Sequence, residues 1–127
     1  MSFQDSSVLV PIRIKNPFSG AVFPAAGEAE AVVDTGYSGF LLVPASVFED
    51  LQIPKSKAGT GIVGDGRRVR LDGGFATLEL TAQGTTLDGF VQTMKGTNEI
   101  LLGMEGLRES YFGFDGCARR AILERCR

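Results

Sequence analysis

Short stretches of the chain alternate apolar and polar residues, which is the pattern of strands with one buried face. The first covers residues 8–14, where Pro11 predicts an edge strand or a bulge because proline cannot donate to a strand ladder. A turn is predicted at residues 15–20. Further strands are predicted at residues 28–33, 75–82, 87–94, 111–115 and 119–124, the last two as a terminal hairpin.

Two continuous apolar runs, at residues 40–43 and 100–103, predict short buried strands that each lead into a short helix. Pro44 opens the first helix, and Met104 and Leu107 begin the second. The side chains expected on the buried side of the first helix are Val47, Phe48 and Leu51. Because two strand-like segments precede each run, the chain has the spacing of a duplicated half-unit. Many short strands with two minor helices predict an all-β, barrel-like domain.

Residues 59–71 predict a long hairpin. Asp65 and Gly66 are a strong turn signal, and the three glycines before them make the hairpin pliable. A glycine-rich phosphate loop is disfavoured, since no Gly-Lys-Ser or Gly-Lys-Thr is present and no helical pattern follows. Arg68 and Arg70, which alternate with apolar residues, predict a solvated face.

The segment at residues 31–36, Ala-Val-Val-Asp-Thr-Gly, places a carboxylate at the end of a β-branched apolar run. Since another apolar run follows at residues 40–43, the segment predicts a strand, a tight loop and a strand. A carboxylate at the mouth of a buried strand is costly unless it is hydrogen-bonded or used in chemistry, and the Thr35 hydroxyl and the loop amides could bind it. Asp34 is therefore either the acid of a catalytic loop or an ordinary turn former.

The 127 residues are enough for one domain with a modest core. With a net charge of −2, the chain lacks the basic field typical of nucleic-acid binding, and its apolar runs are too short for a membrane helix. The N-terminus also lacks the pattern of a secretory leader. We therefore expect a cytoplasmic protein with no nucleic-acid and no membrane partner.

The sequence contains no histidine, which excludes Ser-His and Cys-His nucleophile pairs and His-ligated zinc. Carboxylates are then the leading candidates for acid–base chemistry. Cys117 and Cys126 lack metal-ligand spacing and are expected to be free thiols. No metal and no other cofactor is predicted.

Taken in order, these segments resemble the retropepsin-like aspartic proteases, the single-domain relatives of pepsin, and among them the small bacterial members. AVVDTGYSGFLLVP at residues 31–44 is similar to the catalytic strand, loop and strand of the family. TGIVGDGRRVRL at residues 60–71 is similar to its flap hairpin, and ILLGMEGLRES at residues 100–110 to its hydrophobic-hydrophobic-glycine segment and following helix. The resemblance implies a single retropepsin-like domain over residues 1–127, a closed barrel of short strands with a flap.

The resemblance also implies roles for individual residues. Asp34 would be the catalytic aspartate, Thr35 the residue whose hydroxyl braces the two catalytic loops across a dimer, and Gly36 a close-approach position. Leu102 and Gly103 would belong to the strand packed under the catalytic loop, where a side chain at Gly103 would collide with the loop. The positions expected to bind substrate are Tyr37, Ser38, Ile62, Val63, Gly64, Asp65 and Gly66.

Tyr37 departs from the family pattern, which usually has Ala or Ser directly after Asp-Thr-Gly. The ring is expected to narrow a substrate subsite or to change the hydrogen bonds around the catalytic residue.

Peptide hydrolysis of this type requires two carboxyl groups around one water, and this chain has one such motif. An aspartic endopeptidase would therefore be a homodimer that binds a peptide or protein substrate in extended conformation between two Asp34 residues. The strand at residues 118–123 is a candidate for pairing between subunits, although it could equally close its own barrel. One alternative is a catalytically silent dimerisation or peptide-binding module. Another is a monomeric β-barrel interaction domain.

Overall fold

The structure, a computed structural model, describes residues 2–4, 7–54, 56–62, 66–108 and 110–126. In these ranges the chain forms eleven strands and two short helices. The strands are β1 (Ser2–Gln4), β2 (Ser7–Lys15), β3 (Val22–Phe23), β4 (Ala29–Val33), β5 (Leu41–Val43), β6 (Ser56–Ile62), β7 (Arg68–Leu80), β8 (Thr85–Thr93), β9 (Leu101–Leu102), β10 (Ser110–Asp115) and β11 (Arg120–Arg125). The helices are α1 (Ala45–Asp50) and α2 (Met104–Leu107).

Six of the strands close into a barrel. They pair in the order β2, β4, β9, β5, β8 and β7, and β7 pairs back onto β2. The antiparallel ladder from β2 to β4 places Val10 opposite Ala31, and the closing ladder from β2 to β7 places Ile12 opposite Leu80. Strands β10 and β11 form a separate hairpin. The predicted all-β closed barrel with short helices is confirmed.

The core consists mainly of the inward-facing side chains of the barrel strands and one side of α1, and Leu107 of α2 and Leu123 of β11 pack against them. The alternation predicted from the sequence is found in β2, where Val10, Ile12 and Ile14 are fully buried. Helix α1 adds Val47 and Phe48 to the same cluster. A six-residue helix has too few backbone hydrogen bonds to be stable alone, so its packing on the barrel holds it in place.

The strand order is unchanged when the two halves of the barrel are exchanged. Replacing β1, β2, β4 and β5 by β6, β7, β8 and β9, and the reverse, reproduces the same order read backwards. Strands β5 and β9 lie at the centre and pair antiparallel, with Leu41 opposite Leu102. Each is followed by a short helix. This topology agrees with the duplicated half-unit that the sequence predicts.

Pro11 differs from its prediction, because β2 is an interior strand of the barrel. On one side of β2 the ladder to β1 ends at Leu9 and the ladder to β7 begins at Ile12, so Pro11 lies at the break between two partner strands. Its carbonyl accepts the N–H of Thr81 at 3.3 Å. A break in the ladder tolerates the missing N–H for the same reason that an edge does.

Strand β7 also differs from its prediction, because residues 68–80 form one continuous strand where two separate segments were expected. Its first half pairs with β6 and its second half with β8, with Gly74 opposite Val91. A side chain at Gly74 would collide with the Ile53 side chain, so glycine here allows close packing and does not interrupt the strand. Two short strands, β1 and β3, were not predicted.

Among the described residues no helix is long and apolar enough to cross a membrane. Cys117 and Cys126 are free and exposed, as predicted.

Candidate active site

Asp34 follows β4 directly and begins the loop that leads to β5. Its N–H donates to the carbonyl oxygen of Leu102 at 3.0 Å, which extends the parallel contact between β4 and β9 by one residue. Its carbonyl oxygen accepts the N–H of Tyr37 at 3.2 Å, so residues 34–37 form a turn. The Asp34 backbone is therefore fixed by the barrel on one side and by this turn on the other.

The carboxylate of Asp34 is bound by its own loop. Oδ1 of Asp34 accepts the N–H of Gly36 at 2.9 Å. Aspartate side chains in turns commonly accept a hydrogen bond in this way from the backbone N–H two residues further along the chain. The Asp34 side chain is partly exposed, whereas Thr35 and Gly36 are exposed. The carboxylate thus has a defined orientation and is partly accessible to solvent.

Gly103 lies directly under this loop. A Cβ atom built there would lie 2.5 Å from Cδ2 of Tyr37 and 2.7 Å from the Tyr37 carbonyl oxygen, and it would also collide with the carbonyl oxygen of Gly39. The φ angle of Gly103 is −94°, which any residue adopts, so the requirement for glycine is steric. Gly103 therefore packs against the loop so closely that no side chain fits at this position.

The loop is also bonded to the start of α2. The Gly103 N–H donates to the Phe40 carbonyl oxygen at 3.0 Å, and the Met104 N–H donates to the Tyr37 carbonyl oxygen at 2.8 Å. The Glu105 N–H donates to the Gly39 carbonyl oxygen at 3.1 Å. These three bonds hold the loop and the β9–α2 junction at a fixed separation.

Tyr37 occupies a slot between glycines and reaches the barrel wall. Its ring lies where side chains at Gly39 or Gly103 would stand, and its hydroxyl donates to Oε1 of Gln92 in β8. Burial raises the pKa of the Tyr37 phenol far above its ordinary value of 10.0, and the negative charge of Glu105 raises it further. The phenol therefore remains protonated, and a hydrogen-bond donor, in more alkaline solution than an ordinary tyrosine does.

Ser38 is exposed beside a groove of about 690 Å³ along α2. The groove is also lined by Met104, Leu107 and Ser110. Both polar and apolar side chains are thus available next to the Asp34 loop, on the side of α2.

The segment predicted as a flap, residues 60–71, falls on β6 and β7, which pair antiparallel. Their ladder runs from Ser56 opposite Gly73 to Ile62 opposite Arg68. Gly66, just before β7, has a φ angle of +85°, a conformation that glycine adopts at low cost. The remaining predicted substrate-binding positions, residues 63–65, lie outside the described residues.

Sequence reasoning missed three residues of the site, namely Gly39, Gln92 and Glu105. Gly39 had a usable signal, because a bulky ring directly after a tight turn needs a neighbour without a side chain. Gln92 had none, since it is 55 residues from Tyr37 and only the parallel pairing of β5 with β8 brings it near the loop.

No family model matches the chain. An uncharacterized protein of Archaeoglobus fulgidus is 32% identical over 127 residues, which cover 98% of both chains.

Two solved structures have a similar fold. One is the EIAV protease complexed with the inhibitor HBY-793, with a TM-score of 0.62 and 16% identity over 85% of this chain and 91% of that one. The other is a retropepsin-like aspartic protease from Rickettsia conorii, with a TM-score of 0.53 and 17% identity over 89% of this chain and 91% of that one. At these identities the similarity establishes a retropepsin-like fold.

Proposed function

The chain belongs to the same family as the uncharacterized Archaeoglobus fulgidus protein and has a retropepsin-like fold, and from this we propose that it is an aspartic endopeptidase acting as a homodimer. The observation that carries the proposal is the Asp34 carboxylate. It lies at the end of a barrel strand, is oriented by the Gly36 N–H at 2.9 Å, and is partly exposed in the single protomer.

The homodimer follows from the count of carboxylates. Exchanging the two halves of the barrel matches β4 with β8 and β9 with β5. Val33 of β4 pairs with the second leucine of β9, and Gln92 of β8 pairs with the second leucine of β5. Val33 and Gln92 are therefore equivalent positions, and so are the residues that follow them, Asp34 and Thr93. Thr93 is buried and has no carboxylate. No other aspartate of the chain precedes Thr-Gly or Ser-Gly. The second acid therefore comes from an identical chain across a two-fold axis.

In the proposed dimer the two Asp34 carboxyls hold one water between them. Two like charges at about 3 Å cannot both ionise, so the pair shares one proton and titrates as a unit. The ionised carboxyl takes a proton from the water as its oxygen attacks the peptide carbonyl carbon, and the protonated carboxyl donates to the carbonyl oxygen. As this intermediate collapses and the C–N bond breaks, the carboxyl that took the water proton donates it to the leaving amine. The other carboxyl takes a proton from a hydroxyl of the intermediate, which returns the pair to one shared proton.

The substrate is a peptide segment in extended conformation. Extended peptides bind by adding backbone hydrogen bonds to strands, and the β6–β7 hairpin provides two arms for this next to the barrel. We infer that this hairpin is a lid that closes over the peptide and excludes water from the reacting bond.

The first experiment compares the wild type with Asp34→Asn in cleavage of a peptide library, read by mass spectrometry. Asp34→Asn keeps the size of the side chain but removes the acid, and we expect a loss of cleavage of at least about a thousandfold. Asp50→Asn, at an exposed position of α1, is the matched control and should cleave like the wild type. Equal cleavage by Asp34→Asn and wild type would exclude Asp34 as the catalytic residue.

A mixing experiment tests the shared site. If each site needs two Asp34 carboxyls, wild type allowed to exchange subunits with an equal amount of Asp34→Asn falls to about half its activity, since mixed dimers are inactive. Activity that stays constant or rises on mixing would show that one Asp34 is sufficient. Binding of a statine-type inhibitor by the wild type and not by Asp34→Asn gives a readout that needs no known substrate. A dimer that neither cleaves nor binds the inhibitor would instead favour the silent peptide-binding module.

A further inference from the structure

Tyr37 connects three parts of the structure that surround the Asp34 loop. Its N–H donates to the Asp34 carbonyl oxygen at 3.2 Å, and its own carbonyl oxygen accepts the Met104 N–H at 2.8 Å. Its hydroxyl donates to Oε1 of Gln92, which belongs to β8 on the barrel wall. The backbone bonds can be made by any residue at this position, whereas the bond to Gln92 requires the phenol.

The ring of Tyr37 has little freedom to move. A Cβ at Gly39 would lie 2.5 Å from Cζ of Tyr37 and 2.8 Å from Oε1 of Gln92, so the tip of the ring and the amide occupy the space over this glycine. On the other side, a Cβ at Gly103 would lie 2.5 Å from Cδ2 of the same ring. Real Cβ atoms do not approach other atoms this closely, so the ring fills the slot that the two glycines leave.

We propose that Tyr37 is a positioning residue whose hydrogen bond to Gln92 fixes the turn that carries the Asp34 carboxylate. This role rests on the proposed function of Asp34. The turn of residues 34–37 contains both the carbonyl that accepts the Tyr37 N–H and the Gly36 N–H that binds Oδ1 of Asp34. A displacement of Tyr37 would therefore also displace the Gly36 N–H, which orients the Asp34 carboxylate.

The charge state of the phenol fits this role. Burial, and after it the charge of Glu105, raises the pKa of Tyr37, so the hydroxyl keeps its proton throughout the pH range in which a carboxyl pair works. The hydroxyl consequently donates to Gln92 over the whole of that pH range.

The test uses Tyr37→Phe, which keeps the ring and removes the hydroxyl, and Gln92→Leu, which removes the acceptor. Tyr111→Phe is the matched control, since Tyr111 lies exposed on β10. The first measurement is amide hydrogen exchange at Gly36 and Tyr37, which needs no activity. We expect exchange at both amides to be about tenfold faster in either variant, the equivalent of one net hydrogen bond, and unchanged in β7, β8 and the control.

The second measurement is steady-state cleavage. The hydroxyl acts through Asp34 and not on bound peptide, so kcat should fall about tenfold while KM stays within about twofold. The double variant Tyr37→Phe with Gln92→Leu should be no slower than the slower single variant, because both changes break the same bond.

Unchanged exchange at Gly36 and Tyr37 would overturn the positioning role, whatever the activity. Exchange that increases equally over the whole barrel would also overturn it, since the bond would then serve global stability. If Asp34→Asn leaves cleavage intact while the exchange result holds, the proposed catalysis fails and the link from Tyr37 to the turn stands. The two proposals can therefore fail separately.

Discussion

Replacing Gly103 by alanine tests the packing under the Asp34 loop. The new methyl group would lie 2.5 Å from Cδ2 of Tyr37 and 2.7 Å from the Tyr37 carbonyl oxygen, and would collide with the Gly39 carbonyl oxygen. The ring has little freedom to move, because it fills the slot between Gly39 and Gly103, and the two carbonyls cannot move freely either. One accepts the Met104 N–H at 2.8 Å and the other the Glu105 N–H at 3.1 Å.

The size of the effect follows from these contacts. Inserting a methyl group into a well-packed region costs about 1–3 kcal/mol, and displacing a hydrogen-bonded carbonyl adds about 1 kcal/mol for each bond lost. The smaller entropy of the unfolded alanine chain offsets about 0.4–1 kcal/mol. With both carbonyls displaced, we therefore expect Gly103→Ala to lower the free energy of unfolding by about 2–5 kcal/mol. For a chain of this size, each kcal/mol of lost stability lowers Tm by roughly 4 °C.

The assay is urea unfolding monitored by circular dichroism. All variants are measured at the same protein concentration, because dimerisation would make the free energy of unfolding depend on concentration. Gly116→Ala is the control, since the nearest atom to its added Cβ is the end of the Phe114 ring at 3.3 Å. It should unfold within about 0.5 kcal/mol of the wild type. Wild-type stability of Gly103→Ala, or an equal loss in Gly116→Ala, would refute the steric argument. Adding Tyr37→Ala should restore only part of the loss, because the two carbonyls remain.

Two further predictions concern the lid and alkaline pH. Gly66→Ala and Gly84→Ala both place alanine at a positive φ, +85° and +65°, with nothing within 4 Å of the new Cβ, so each should cost about 1–2 kcal/mol of stability. Only Gly66 lies on the proposed lid, so kcat/KM should fall in Gly66→Ala and not in Gly84→Ala. Equal kcat/KM values for the two variants would contradict the lid. Because the pKa of Tyr37 is raised in the folded protein, the native state holds this proton more tightly than the unfolded chain. The free energy of unfolding is therefore unaffected by Tyr37 below pH 10.0 and falls as the pH rises above it. Tyr37→Phe has no phenol to ionise and should lose less stability between pH 10 and about pH 11. Urea-stability curves of the wild type and the variant that stay parallel up to about pH 11 would contradict the raised pKa.

Local patterns were sufficient for most of the strands. Alternation in β2 located Val10, Ile12 and Ile14 in the core, because a period of two puts every second side chain on one face. Local patterns failed where a distant segment changes the meaning of a residue. Pro11 lies in an interior strand because the partner strand changes beside it, and Gly74 continues β7 because Ile53 packs against it.

The sequence by itself determined the barrel class and the strand–loop–strand around Asp34, since both follow from the order of apolar and polar residues. Glycine under the loop at position 103 was implied by the resemblance to the retropepsin-like proteases, and the steric reason for it lies in the tertiary structure. Only the tertiary structure showed that the ring of Tyr37 lies between Gly39 and Gly103 and donates to Gln92. Pairings between strands far apart in the chain depend on how the barrel closes. The contacts of Tyr37 are set by that closure, and no local pattern of residues encodes it.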